Sequence, residues 1–148
     1  MKKFFRGLAF CLVCLFLLNT SAFAMEQSSQ RASKYIMGTN ATITTGSGGS
    51  LTISFSISSP GIMTKIGATT VYLYEDNGNS TKLVATYRSS DKDYAYFMTE
   101  NSGYHGANVT YTGTVGYKYY AKIYLTAGDS TGSDTVIHTT STVTAKKS

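Results

Sequence analysis

The sequence has no Trp, one Pro and two Cys in 148 residues, and charged side chains make up only 14% of it. So little Pro excludes a collagen-like chain or a polyproline linker. Two Cys exclude a disulfide-dense scaffold. A chain of this length is one small domain rather than a multi-domain enzyme. Long apolar runs are also missing. The longest, Gly7–Leu18 (GLAFCLVCLFLL), is 12 residues, short of the roughly 20 that a membrane-spanning helix needs.

That run has a different use. Lys2, Lys3 and Arg6 flank its start; the polar break Asn19-Thr20-Ser21 and the small-x-small triplet Ala22-Phe23-Ala24 follow it. This order predicts a secretory signal peptide, cleaved after Ala24. A lipoprotein needs a small residue before its acceptor Cys, and Phe10 and Val13 precede Cys11 and Cys14. Removing residues 1–24 leaves 124 residues, takes away both Cys and lowers the net charge from +5 to +2. The expected product has no thiol, disulfide or Cys-based metal site, and lacks the strongly basic face that nucleic-acid binding requires. No second apolar span or cell-wall sorting motif follows, which predicts a secreted, extracellular product with no membrane span. Residues 25–34 (MEQSSQRASK) form a polar leader, and 35–148 the folded domain.

The mature chain has few of the usual core residues: Leu, Ile, Val and Phe total 20 of 124. Disorder would also need high net charge and few aromatics, yet all 12 Tyr lie in this part of the chain. The core must therefore draw on Tyr, Ala and Met. Thr and Ser, 38 together, replace charge as the solubilising surface. Thr, Tyr, Ile and Val favour pleated, half-buried positions, so the chain should be nearly all β.

The pattern along the chain agrees. Tyr35 to Thr45 reads as an opening strand with a break near Gly38. Leu51, Ile53, Phe55 and Ile57 alternate with Thr52, Ser54, Ser56 and Ser58, which is a strand with one buried face. Ser59-Pro60-Gly61 should stop it. Ile62–Gly67 crosses to a strand in which Val71 and Leu73 alternate with Tyr72 and Tyr74. Asp76-Asn77-Gly78-Asn79 predicts a hairpin, because Asn-Gly accepts positive φ; Lys82–Tyr87 returns from it. Asp91-Lys92-Asp93 reads as a loop, and Tyr94–Met98 as a short strand or one helical turn. Val109–Gly113 and Tyr117–Ala127 are strands, Gly128–Ser133 is a loop, and Thr135–Thr144 closes the domain. About seven short antiparallel strands without helical periodicity predict a β-sandwich.

Gly116-Tyr117-Lys118-Tyr119-Tyr120-Ala121-Lys122-Ile123-Tyr124-Leu125 resembles the sixth strand of fibronectin-III and immunoglobulin-like domains. The resemblance implies a structural tyrosine corner at Tyr119, with its hydroxyl capping backbone. The Cys–Trp–Cys set of antibody domains is absent. Three further blocks are Lys65–Ala68 leading into Val71–Glu75, Val109–Thr114 leading into Gly116–Tyr120, and Gly132–Asp134 followed by Thr139–Ala145. In this order they resemble an uncharacterised family of small secreted proteins of Gram-positive bacteria. That resemblance implies an immunoglobulin-like sandwich and export, and it transfers no functional residue.

Motifs for chemistry are sparse. Gly128-Asp129-Ser130-Thr131-Gly132 has the G-x-S-x-G spacing of a nucleophile elbow, which needs a helix after the Ser; the strand-like Thr135–Thr140 follows instead. His105 and His138 lack a third nitrogen or sulfur ligand for zinc. Asp91, Asp93, Asp129 and Asp134 lack calcium-loop spacing. No catalytic residue, metal site or cofactor is expected. The tyrosines are more informative. If Val71, Leu73, Ala121, Ile123 and Leu125 point inward, then Tyr72, Tyr74, Tyr120, Lys122 and Tyr124 point outward. Inward Ile137 and Val143 would place His138 on the same outer face. Tyr on such a face binds sugars or proteins, or stabilises the sheet through cross-strand pairs; both readings stand. The expected function is a secreted, non-catalytic binding or adhesion module whose partner is an extracellular glycan or protein. The alternative is an assembly subunit that pairs through its edge strands.

Overall fold

The structure, a computed structural model, describes residues 33–148. The expected signal peptide, and the expected leader up to residue 32, lie outside the described residues. Seven strands follow one another: β1 (Gly38–Thr45), β2 (Ser50–Asp76), β3 (Thr81–Arg88), β4 (Met98–Thr112), β5 (Lys118–Asp129), β6 (Gly132–Thr139) and β7 (Val143–Thr144). All the pairings are antiparallel. The expectation of an all-β chain therefore holds.

The long strand β2 organises the molecule. Its first half, from Leu51 to Ile57, buries every second side chain, as the alternation predicts. This half lies between β1 and β4. Its second half, from Thr70 to Asp76, lies between β3 and β5, with β6 beyond β5. The inner faces of both halves contribute to one core, in which Leu51, Ile53, Val71, Leu73, Tyr119, Ile123 and Leu125 have no exposure to solvent.

Two expectations are corrected along β2. Ser59-Pro60-Gly61 does not stop the strand. Register with β4 jumps from Ser58 to Met63, so no ladder bond is asked of Pro60, which lacks the N–H to make one. The expected two separate sheets are instead one continuous hydrogen-bonded sheet. Lys65, Ile66 and Gly67 pair on both sides at once, with β4 and with β5, and this joins the two halves. Gly67 is required there. Its φ is +149°, and a Cβ would lie 2.1 Å from the Phe97 carbonyl oxygen.

Residues 89–106 hold a short 3-10 helix, Lys92–Phe97, followed directly by β4. β4 is thus much longer than the expected strand Val109–Gly113. The helix inserts Phe97, fully buried, against Phe55 at 5.3 Å, Tyr94 at 5.5 Å and Tyr96 at 4.9 Å. Tyr87 joins through Tyr94 at 5.0 Å, and burial pushes its hydroxyl pKa up to about 12.

The expected loop Gly128–Ser133 is mostly strand, because β5 and β6 meet across the two residues Ser130 and Thr131. The closing segment is two strands rather than one. Thr140 divides them: its N–H donates to the Ala121 carbonyl and its Oγ1 accepts from the Ala121 N–H, both at 2.9 Å. This break matters for the outer face. Val143 packs against the core, but Ile137 is 54% exposed. Pairing with β5 decides the facing: Val136 lies opposite buried Leu125, and Ile137 opposite Tyr124. Two adjacent apolar residues allow either register, and a one-residue slip reverses every side chain. His138 consequently faces inward with Val136.

Candidate functional site

The second half of β2 and the central part of β5 run side by side, so their outward residues form a two-column face. Tyr74 lies opposite Tyr120, Tyr72 opposite Lys122, and Thr70 opposite Tyr124. The Tyr74 and Tyr120 rings stack at 5.1 Å with their planes 9° apart. Tyr72 meets Tyr124 on the diagonal, edge to face at 5.6 Å. Lys122 Nζ sits 5.6 Å from the centre of the Tyr74 ring. Aromatic pairs of this kind contribute about 0.5–1.5 kcal/mol each beyond burial, and an exposed cation–π contact about 0.5–1 kcal/mol. All five side chains remain partly open to solvent.

Two residues that sequence reasoning missed extend this face. Leu83, opposite Tyr74, is 50% exposed, and Ile137, opposite Tyr124, is 54% exposed. The result is an apolar diagonal across four strands. Leu83 could not be placed from the sequence, because a bulge between Leu73 and Tyr74 shifts the pairing of β3. His138, expected on this face, instead has Nδ1 3.5 Å from Thr39 Oγ1.

Beyond Tyr124 the outer face becomes polar. Thr126 and Gly128, the next outward positions on β5, line a cleft of about 530 Å³ together with Thr64, Lys65, Thr69, Met98 and the Asp129–Ser133 turn. Lys65, Thr69 and Met98 also line a second depression of about 670 Å³, which reaches Ser89, Ser90 and Glu100. Thr69 is turned out of register by the irregularity between Ala68 and Thr70, and its hydroxyl donates to the Tyr124 carbonyl at 3.3 Å. Asp129 Oδ1 accepts from the Thr131 N–H at 2.7 Å and from the Thr131 hydroxyl at 2.6 Å. These bonds, the hydroxyl foremost, hold the Asp129 carboxyl below its ordinary pKa.

Ser130 lies in the cleft wall, in a strand–turn–strand rather than a nucleophile elbow. The second His, His105, has Nε2 2.9 Å from the Tyr96 carbonyl oxygen. Among the described residues, no three His, Cys, Asp or Glu side chains gather to hold a metal ion. Asp134 accepts from Ser33 at 2.5 Å. No helix among the described residues is long and apolar enough to cross a membrane.

Behind the face sits the residue expected as a tyrosine corner. Tyr119 is fully buried. Its hydroxyl accepts from the Thr114 N–H at 2.8 Å and donates to Glu75 Oε2 at 2.5 Å. Gly113 leaves room for the ring, since a Cβ there would lie 2.7 Å from it. Glu75 is 5% exposed, and its other oxygen pairs with Lys82 at 3.0 Å. The Tyr119 hydrogen bond outweighs the opposing effect of burial and, with Lys82, holds the Glu75 carboxyl below its ordinary value of 4.5. Burial and the Glu75 bond raise the Tyr119 hydroxyl in turn. This buried pair braces β2 against β5.

No protein-family model matches the chain, and no curated protein matches it. Among solved structures, the sporulation control protein Spo0M of Bacillus subtilis is similar over 69% of this chain and 48% of its own, at 10% identity and a TM-score of 0.37. The chain spans less than half the length of that protein.

Proposed function

We propose that the chain is exported and acts as a non-catalytic binding module at the cell envelope or outside the cell, meeting its ligand on the tyrosine face. The signal-like segment 1–24 supports export. On the same reading the chain belongs with the small secreted Gram-positive proteins it resembles, and its fold is fibronectin-III-like. Two features support that fold: the pairing order, β1–β2–β4 for one half and β3–β2–β5–β6 for the other, and the Tyr119 contact to backbone five residues upstream.

One observation carries the binding reading. Tyr72, Tyr74, Tyr120 and Tyr124 gather with Lys122 on one outer face flanked by exposed Leu83 and Ile137. Aromatic rings with a polar tip, beside exposed aliphatic side chains, are the composition of recognition surfaces. The test is co-sedimentation of the released chain with the cells that produce it. Tyr120→Ala and Tyr124→Ala should each lower the bound fraction while leaving the far-ultraviolet circular dichroism unchanged. Folded variants that sediment like the parent would refute the reading.

The assembly reading has one observation in its favour: among the described residues β6 pairs only with β5, and it presents Ile137 to solvent. It requires a concentration-dependent rise in mass by light scattering that Ile137→Lys abolishes.

A further inference from the structure

We infer that the tyrosine face and the adjoining cleft form one track for an extended, uncharged chain of linked pyranose sugars. This inference rests on the binding reading above and names its ligand class. The outward positions of β5 run from Tyr120 through Lys122, Tyr124 and Thr126 to Gly128, and the last two already line the cleft. The eight steps of strand from Tyr120 to Gly128 make the track about 26 Å long, the reach of several linked rings.

Its chemistry changes along that length in a way a sugar chain can use. The tyrosine end offers ring faces and edges for the apolar C–H surfaces of a pyranose, together with phenol hydroxyls. The cleft end offers the Thr64 and Ser133 hydroxyls, which both donate and accept, the Thr69 oxygen as an acceptor, the Thr126 hydroxyl already bonded to Thr135 at 2.8 Å, the Lys65 donor and the Asp129 acceptor. A ligand hydroxyl is likewise donor and acceptor, so it can satisfy all of these groups. Both signs of charge lie along the track: Lys65, Lys118, Lys122 and Arg88 against Asp76, Asp129 and Glu100. A polyanion would meet Asp129 and Glu100, and a polycation would meet the lysines.

Other occupants fit less well. β2 and β5 are both hydrogen-bonded on their two sides here, so a peptide cannot add to them as a strand. A second copy packed about a two-fold axis at the centre of the face, beside Lys122, would set Lys122 against its own symmetry mate, a like-charge contact.

The experiment is calorimetric titration of the released chain with β-1,4-linked glucose and N-acetylglucosamine series, each from monomer to hexamer, with polygalacturonate as a polyanion arm. Affinity should rise with length in one neutral series and exceed that for polygalacturonate. Tyr124→Ala should weaken hexamer binding by about tenfold or more. Thr64→Val and Lys65→Gln, at exposed positions of the cleft wall, should weaken the hexamer and leave the disaccharide unaffected; they keep the test open if Tyr124→Ala fails to fold. Length-independent affinity, or a preference for the polyanion, overturns the inference. Silence toward every saccharide, with cell binding through the tyrosine face retained, overturns the ligand class and leaves the binding reading intact. Loss of both overturns both.

Discussion

The two halves of β2 are alike inside and unlike outside. The first half buries Leu51, Ile53, Phe55 and Ile57 and turns out Thr52, Ser54, Ser56 and Ser58. Most of their neighbours are as short: Thr44 and Thr110 flank Thr52, Thr42 and Asn108 flank Ser54, Asn40 and Gly106 flank Ser56, and only Ser58, between Gly38 and the 61% exposed Tyr104, has a ring beside it. The second half buries Val71 and Leu73 and turns out Tyr72 and Tyr74, which meet Tyr120 and Tyr124. The first half thus pairs and buries its core with mainly hydroxyl-bearing side chains outside and, among the described residues, no ring paired with Tyr104. Paired outward rings are therefore not a condition for such a sheet to form. Their concentration on one face calls for a use beyond folding, and this is the physical basis of the binding reading.

The largest expected effect comes from the joint between the halves. Gly67→Ala places a methyl against the Phe97 carbonyl at a backbone angle that suits Gly. It should cost about 3 kcal/mol. Both halves share one core, so urea transitions followed by Tyr fluorescence, weighted to the second half, and by far-ultraviolet circular dichroism should shift together. Transitions that separate would show that the halves are independent.

Next in size is the brace behind the tyrosine face. Tyr119→Phe removes the partner of Glu75 Oε2 and of the Thr114 N–H. A cost of about 2 kcal/mol at neutral pH follows from leaving such groups unsatisfied in the interior. The effect depends on pH with a definite sign. Glu75 has its pKa lowered in the fold, so its contribution is full above the unfolded value near 4.5 and is lost as pH falls through the folded value. Parent and Tyr119→Phe stabilities should therefore converge on acidification below about pH 4.5. A constant gap down to pH 2 would show that Glu75 does not depend on Tyr119.

A smaller effect tests the face itself. A double-mutant cycle on Tyr74→Ala and Tyr120→Ala should give a coupling of about 0.5–1.5 kcal/mol. The same cycle on Ser54→Ala and Thr42→Ala should stay within about 0.5 kcal/mol of zero. Equal couplings would erase the contrast between the halves.

Much of this contrast was legible in the sequence, because strict alternation has only one physical reading. Leu51 to Ser58 and Val71 to Tyr74 declare their inner and outer sides without help from tertiary structure. The outward placement of Tyr120, Lys122 and Tyr124 follows from Ala121, Ile123 and Leu125 in the same way. What was not legible depended on pairing between distant segments. Val136-Ile137 offers two equivalent apolar positions, and only the ladder with Leu125 and Tyr124 chooses between them. Pro60 reads locally as a stop, and only the jump in register with β4 makes it harmless. Phe97 belongs to a 3-10 turn with no periodicity of its own, so its role as a core plug emerges from the rings of Phe55 and Tyr94. The cleft beside Tyr124 is assembled from β2, the start of β4 and the β5–β6 turn, and no local pattern joins these.

The smallest expected effect asks whether rings alone make the site. Ser54→Tyr with Thr42→Tyr would place a cross-strand aromatic pair on the first half of the sheet, at positions that lie opposite one another. The inner alternation is untouched, so the fold should be kept, and stability should rise by about 0.2–1 kcal/mol, as for other cross-strand pairs. No affinity for cells or saccharides should follow when the same pair is introduced into Tyr124→Ala. The grafted rings would have no Lys122 beside them, and Thr126, Lys65 and the Asp129–Ser133 turn line a cleft next to Tyr124 rather than Ser54. Binding restored by the graft would mean that any exposed tyrosine pair suffices. Stability without binding would separate the two uses of tyrosine in this chain, as a fastening between strands and as one end of a built recognition track.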